Sequence, residues 1–212
     1  KILSNTHVLA PHWEGAEVGD EVIQPGSFDG GTLDDAVGRL ERFVELRDGV
    51  RVDAAVATVE VEAAPMTVLE LPPVVGWREP AVGMPVSKSG RTCGLASGQI
   101  IDVEATVRVS YPFGDVALRE QVVIEPAIGI PGDSGSLIVS SDGAAVALLF
   151  AGSKYVTVAN RIENVVAELG VDLGPRLPSW EPPSTVGLAG GLAAPAMCLG
   201  AVAASEWPRH DF

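Results

Sequence analysis

The chain of 212 residues is 47% hydrophobic and 20% charged, which excludes disorder as a description of the whole and suffices for one large domain or two small ones. Acidic residues outnumber basic ones 28 to 14, and the resulting net charge of −14 argues against a nucleic-acid partner and against an anionic membrane surface. Gly (24) and Pro (16) are frequent and aromatics make up only 5%, a mix that suits short strands joined by turns.

The chain opens on Lys1-Ile2-Leu3, already strand-like. With neither an initiator Met nor a signal peptide, it reads as a processed product or a fragment. The apolar run Ile2–Ala10 is broken by a polar step that places His7 at a strand end, while His12, between Pro11 and Trp13, reads as loop. Thr32–Leu46 is ambiguous, since Val37, Leu40, Val44 and Leu46 fit either a helical stripe or an edge strand. Arg51–Glu62 alternates, with Ala55, Ala57, Val59 and Val61 on one face and Thr58, Glu60 and Glu62 on the other. The clearest strand is Ile101–Ser110, where Ile101, Val103, Ala105, Val107 and Val109 alternate with polar residues.

Ser136–Ser140 and Ala144–Phe150, joined by Ser141-Asp142-Gly143, are predicted to form a hairpin. One helix is predicted over Arg161–Leu169, with Asn160 as N-cap, Glu163 completing a capping box and Gly170 as the stop. From Pro175 a Pro/Gly/Ala-rich tail begins, and its apolar stretch Gly187–Ala204 is too weak to predict a membrane span. Cys93 and Cys198 lack zinc-ligand spacing; each reads as a small buried hydrophobe, and their pairing is left open.

The strongest chemical signal is Ile130-Pro131-Gly132-Asp133-Ser134-Gly135-Ser136. A serine between glycines can sit on a tight turn, with the N–H groups of Gly132 and Ser134 converging on a developing oxyanion; an ordinary polar turn is the plainer alternative. A serine nucleophile needs a base, in practice a histidine, and of His7, His12 and His210 only His7 has a suitable setting. The acid that would orient it is Asp53, which lies on the apolar face of its strand, where a buried carboxylate requires a partner. The chain order His7, Asp53, Ser134 is one of the known orders for such a constellation.

Leu3-Ser4-Asn5-Thr6-His7-Val8-Leu9-Ala10, Val52-Asp53-Ala54-Ala55-Val56-Ala57 and Pro131-Gly132-Asp133-Ser134-Gly135-Ser136 resemble the histidine, aspartate and serine motifs of bacterial trypsin/chymotrypsin-like serine proteases. Ser87–Leu95 resembles the segment that opens their second barrel. The resemblance implies an all-β fold of two six-stranded antiparallel barrels (about 1–82 and 83–174) with a short C-terminal helix, and a tail over 175–212. Only six residues precede His7, so the first strands of barrel one are expected to be missing.

The resemblance further implies a serine endopeptidase that needs no metal or cofactor and acts on proteins or peptides, with a catalytically silent peptide-binding module or a serine esterase as alternatives. It places Ile128, six residues before the serine, at the base of the P1 pocket and makes Phe150-Ala151-Gly152-Ser153 the substrate-binding edge. No Ile-Val-Gly-Gly-like start exists, so no N-terminal ammonium is expected to pair with Asp133.

Overall fold

The computed structural model describes residues 1–60 and 68–183. Its first half forms a four-stranded antiparallel sheet in the order β1 (Ile2–Ser4), β4 (Ala55–Ala57), β3 (Ala36–Phe43), β2 (Glu21–Ile23), which among the described residues is short of the six strands of a full barrel. Its inner face buries Ala10, Val22, Leu40, Ala55 and Ala57. The ambiguous Thr32–Leu46 segment is strand over Ala36–Phe43, preceded by a 3-10 turn at Leu33–Asp35. Sheet pairing with β2 and β4 overrides the weak helical stripe there.

After a short strand β5 (Gly76–Trp77), the second half comprises β6 (Pro85–Gly90), β7 (Gly94–Tyr111), β8 (Gly114–Glu125), β9 (Leu137–Ser140), β10 (Ala144–Gly152) and β11 (Thr157–Arg161). The antiparallel pairings run β6–β7–β8–β11–β10–β9 and return to β6, so these six strands close on themselves. Closure leaves a dry interior filled by Met84, Val86, Ile100, Val122, Ile124, Ile138, Val146 and Leu149. The predicted hairpin forms as β9 and β10, with Gly143 supplying the positive φ of +83° that its turn requires.

Three local readings need correction. The Ile101–Ser110 alternation is present from Val103 onward, but a register shift between Ile100 and Asp102 turns Ile100 inward and leaves Ile101 43% exposed. The Arg51–Glu62 strand shrinks to Ala55–Ala57, whose residues are all buried because both faces are covered; Val61 and Glu62 lie outside the described residues. The helix, α2 (Ile162–Leu169), ends at Gly170 as expected, but Arg161 stands at its N-cap position without a side-chain cap bond. Glu163 accepts from Arg161 Nε at 2.5 Å, and Asn160 is engaged elsewhere.

The two halves are joined by a shared apolar cluster in which Val52, Ala54 and Val56 meet Leu148, Ile162, Val165 and Leu169. Burying these side chains fixes how the halves abut. Residues 175–183 run along the second barrel: Leu177 N–H donates to Trp77 O at 2.7 Å and Trp180 packs on the barrel core. The rest of the tail, with Gly187–Ala204, Cys198 and His210, lies outside the described residues. Among the described residues no helix is long and apolar enough to cross a membrane.

Candidate active site

The strand end expected at His7 falls three residues earlier, at Ser4. His7 sits in a single helical turn, α1 (Thr6–Leu9), directly after β1. Two buried polar side chains hold the turn: Asn5 Nδ2 donates to Asp53 O at 2.8 Å, and Thr6 Oγ1 lies 2.9 Å from both Ala54 O and Val44 O. The polar step in the sequence therefore ties α1 to the segment that carries Asp53, since buried hydroxyls and amides must find partners.

Asp53 is fully buried. Its carboxylate accepts from His7 Nδ1 at 2.5 Å and from His7 N at 3.2 Å, and Tyr111 Oη donates to the same Oδ2 at 2.9 Å. These bonds offset the cost of taking a charge out of water. A carboxylate oxygen accepts, so in the neutral imidazole this bond takes its proton from His7 Nδ1 and Nε2 keeps its lone pair. Asn160 fixes the main chain of Asp53 on both sides: Asp53 N–H donates to Asn160 Oδ1 at 2.9 Å, and Asn160 Nδ2 donates to Asp53 O at 2.9 Å. The residue read as a helix cap is thus a clamp between the two halves.

The serine loop is shaped by two glycines at positive φ, Gly132 (+93°) and Gly135 (+86°). A side-chain carbon at Gly132 would lie 2.3 Å from Thr92 Oγ1; one at Gly135 would lie 2.2 Å from Ser4 Oγ and 3.5 Å from Ser4 Cα. Gly135 thereby seats the loop, with Ser134, directly on the strand that leads into His7. The amides of Asp133, Gly135 and Ser136 are bonded to Ile130 O, Leu149 O and Asp133 O respectively. Those of Gly132 and Ser134 have no acceptor among the described residues, which leaves two neighbouring donors free.

Asp133 has a cationic partner after all, and it comes from within the chain. Lys88 Nζ lies 3.0 Å from Asp133 Oδ2, with both side chains fully buried. Burial works against the Asp133 charge, but the Cys93 thiol, the Thr92 and Ile130 amides and Lys88 outweigh it and hold its carboxyl at about 2. Cys93 is correspondingly not a buried hydrophobe: the residue is exposed, and its Sγ sits 2.9 Å from Asp133 Oδ2 and 2.8 Å from Lys88 Nζ.

Ile128, 2% exposed, belongs to the core of the second barrel, and its N–H donates to Thr157 Oγ1 at 2.9 Å. Phe150 is buried, whereas Ala151, Gly152 and Ser153 are at least partly accessible. β9 pairs with β10 no further than Leu148, so beyond Leu149 this stretch has a strand partner on the β11 side alone among the described residues. Among the described residues no three His, Cys, Asp or Glu side chains converge as a metal site. Lys88, Tyr111 and Asn160 are the site residues that the sequence did not single out for these roles. Each acts across a long sequence separation, and only the capping-like Asn160 left a local signal, which pointed elsewhere.

The architecture is that of the chymotrypsin-like serine proteases, and the solved structures similar to it are bacterial members of that class. A protease from Nocardiopsis is 22% identical, with a TM-score of 0.59 over 82% of this chain and 84% of that one. The chymotrypsin of Cellulomonas bogoriensis is 18% identical with a TM-score of 0.57 (80% and 83% covered), and protease A of Thermobifida fusca 20% identical with 0.56 (81% and 83%). No family model and no curated protein matches the sequence.

Proposed function

We propose that the protein is a serine endopeptidase in which Ser134, His7 and Asp53 act as nucleophile, base and orienting acid. The observation that carries this reading is the 2.5 Å bond from His7 Nδ1 to a fully buried Asp53, with the Ser134 loop seated on the strand before His7. Ser134 Oγ attacks the scissile carbonyl carbon as its proton passes to His7 Nε2. The tetrahedral oxyanion takes hydrogen bonds from the Gly132 and Ser134 amides. Collapse breaks the C–N bond, and His7 returns the proton to the departing amine. Water, deprotonated by the same nitrogen, then hydrolyses the acyl-enzyme.

The open edge at Ala151–Ser153 offers main-chain groups on which an extended peptide adds as a strand, which favours a peptide over a small ester. Ile128 stands at the base of the P1 pocket in this reading, with its side chain anchored in the barrel core.

The test is labelling with a fluorophosphonate probe followed by mapping of the adduct. Ser134 is expected to carry it, and peptide substrates are expected to turn over faster than matched esters relative to their uncatalysed rates. Labelling of a different serine, with Ser134 untouched, overturns the assignment. A folded chain that takes no label is the result expected of a silent peptide-binding module.

A further inference from the structure

We propose that Tyr111 is a positioning residue of this site, holding Asp53 in the orientation that His7 requires; the inference rests on the function proposed above. Its hydroxyl donates at 2.9 Å to Asp53 Oδ2, the oxygen that also receives His7 Nδ1. The donor comes from the other half of the molecule. β7 and β8 form a long hairpin whose last pair is Tyr111 opposite Gly114, and its end packs with Trp13, Leu46 and Val50 of the first half. There the Tyr111 ring is stacked on Phe113 (centroids 5.6 Å apart, planes at 16°) and lies 6.3 Å from Trp13 and 6.0 Å from His7.

This arrangement divides the carboxylate's bonding between its two oxygens. Oδ1 accepts the His7 main-chain N–H, while Oδ2 serves two donors, the imidazole and the phenol. With both oxygens held, the carboxylate cannot rotate away from Nδ1. Among the described residues His7 and Tyr111 are the titratable groups that bond the Asp53 carboxylate; Asn5 and Asn160, both neutral, reach only its main chain. Burial and then the neighbouring Asp53 charge push the Tyr111 hydroxyl far above the usual phenol range, so it stays a donor at any working pH.

A phenol that only filled space would do so as well without its oxygen, and that is the basis of the test. Tyr111→Phe keeps the ring and its stacking and removes the donor. The variant should lose about tenfold in kcat with KM within about twofold of wild type. Without the phenol, more negative charge stays on the oxygen facing His7. Protonated imidazole is then stabilised, and the acid limb of kcat/KM moves up by about half a pH unit.

Because Tyr111 acts through Asp53, the same change in an Asp53→Asn background should cost little more. Phe113→Leu loosens the stack without touching the carboxylate and should leave the acid limb in place. Wild-type kcat and an unmoved acid limb in Tyr111→Phe overturn the inference while the endopeptidase stands. So does an equal displacement in Phe113→Leu, or an undiminished loss in the Asp53→Asn background. A wild-type chain that is not labelled at Ser134 overturns the function and this inference together.

Discussion

Lys88 and Asp133 form an ion pair from which water is excluded, with Nζ 3.0 Å from Oδ2 and neither side chain exposed, at the residue directly before the proposed nucleophile. The carboxylate also accepts the Thr92 and Ile130 amides, at 2.7 and 3.1 Å, so it ties the turn between β6 and β7 to the serine loop. The Asp133 carboxylate thus has an internal cationic partner, which holds the serine loop from within the chain.

Removing one member of such a pair leaves the other charged and buried. Lys88→Met is expected to lose about 3–5 kcal/mol of stability in denaturant unfolding. The pH dependence follows from the depressed Asp133 carboxyl, held at about 2 against an ordinary 3.8. Its contribution is complete above the ordinary value and is lost as pH falls through the folded one, a window from roughly pH 4 down to roughly pH 2. Asp133→Asn should be less stable at neutral pH and lack that acid-side decline. A Lys88→Met chain within about 1 kcal/mol of wild type would mean that the pair contributes nothing net.

The proposed acid gives the second prediction. Asp53→Asn presents an amide to His7 Nδ1 and favours the tautomer whose proton faces Ser134, so kcat should fall by about 10⁴ while the fold persists. Ser134→Ala and His7→Ala should each cost as much as the pair together, because the residues act as a unit. Stopped assays on the single and double variants decide this; multiplying losses would show that the residues act independently.

How far all this was legible depended on the range of each interaction. The buried, partnered carboxylate of Asp53 is legible because an acid on an apolar face needs a partner, and the tight turn at Ser134 because Gly132 and Gly135 bracket it. Both signals are local. Lys88 could not be read: its ammonium crosses to a residue 45 positions on, and in sequence it is one polar residue of a strand. Asn160 misled, since Asn followed by Glu163 imitates a helix cap. The bonds it makes to Asp53, 107 positions away, satisfy two buried main-chain groups, which outweighs the capping of one helix end. His7 reads as a strand end because its flanks are apolar. The helical turn forms because Asn5 and Thr6 find main-chain acceptors only with the chain bent.

Asn160 supplies the third prediction. Asn160→Ala leaves the buried Asp53 N–H without an acceptor and Asp53 O with Asn5 alone, a loss of about 1–3 kcal/mol. Asn160→Asp should be no better, since a carboxylate cannot donate to Asp53 O and brings a second charge beside the first. Thermal unfolding measures the loss, and kcat should drop with it because the Asp53 main chain is no longer fixed. An Asn160→Ala melting curve that overlays the wild type would remove the clamp from the account.

The last prediction concerns the residue after which the chain would cut. The residues expected around the P1 side chain carry no charge. Ile128 is anchored in the barrel core, and Ala151, Gly152 and Ser153 are small. Gly152 cannot be enlarged without displacement, because a side-chain carbon there would lie 2.8 Å from Val156 O. A lysine or arginine entering such a pocket would be stripped of water with no carboxylate to meet it, at a cost of several (~3–5) kcal/mol. An apolar side chain gains about 1.5–3 kcal/mol from the same burial. Cleavage is therefore expected after small to medium apolar residues and poorly after Arg or Lys. Glu125, exposed at the end of β8, is the nearest acid in sequence to Ile128, and its entry into the pocket would reverse the outcome. A peptide-library profile read by mass spectrometry separates the two. Dominant cleavage after Arg or Lys, abolished by Glu125→Gln, would refute the uncharged pocket and identify its hidden acid.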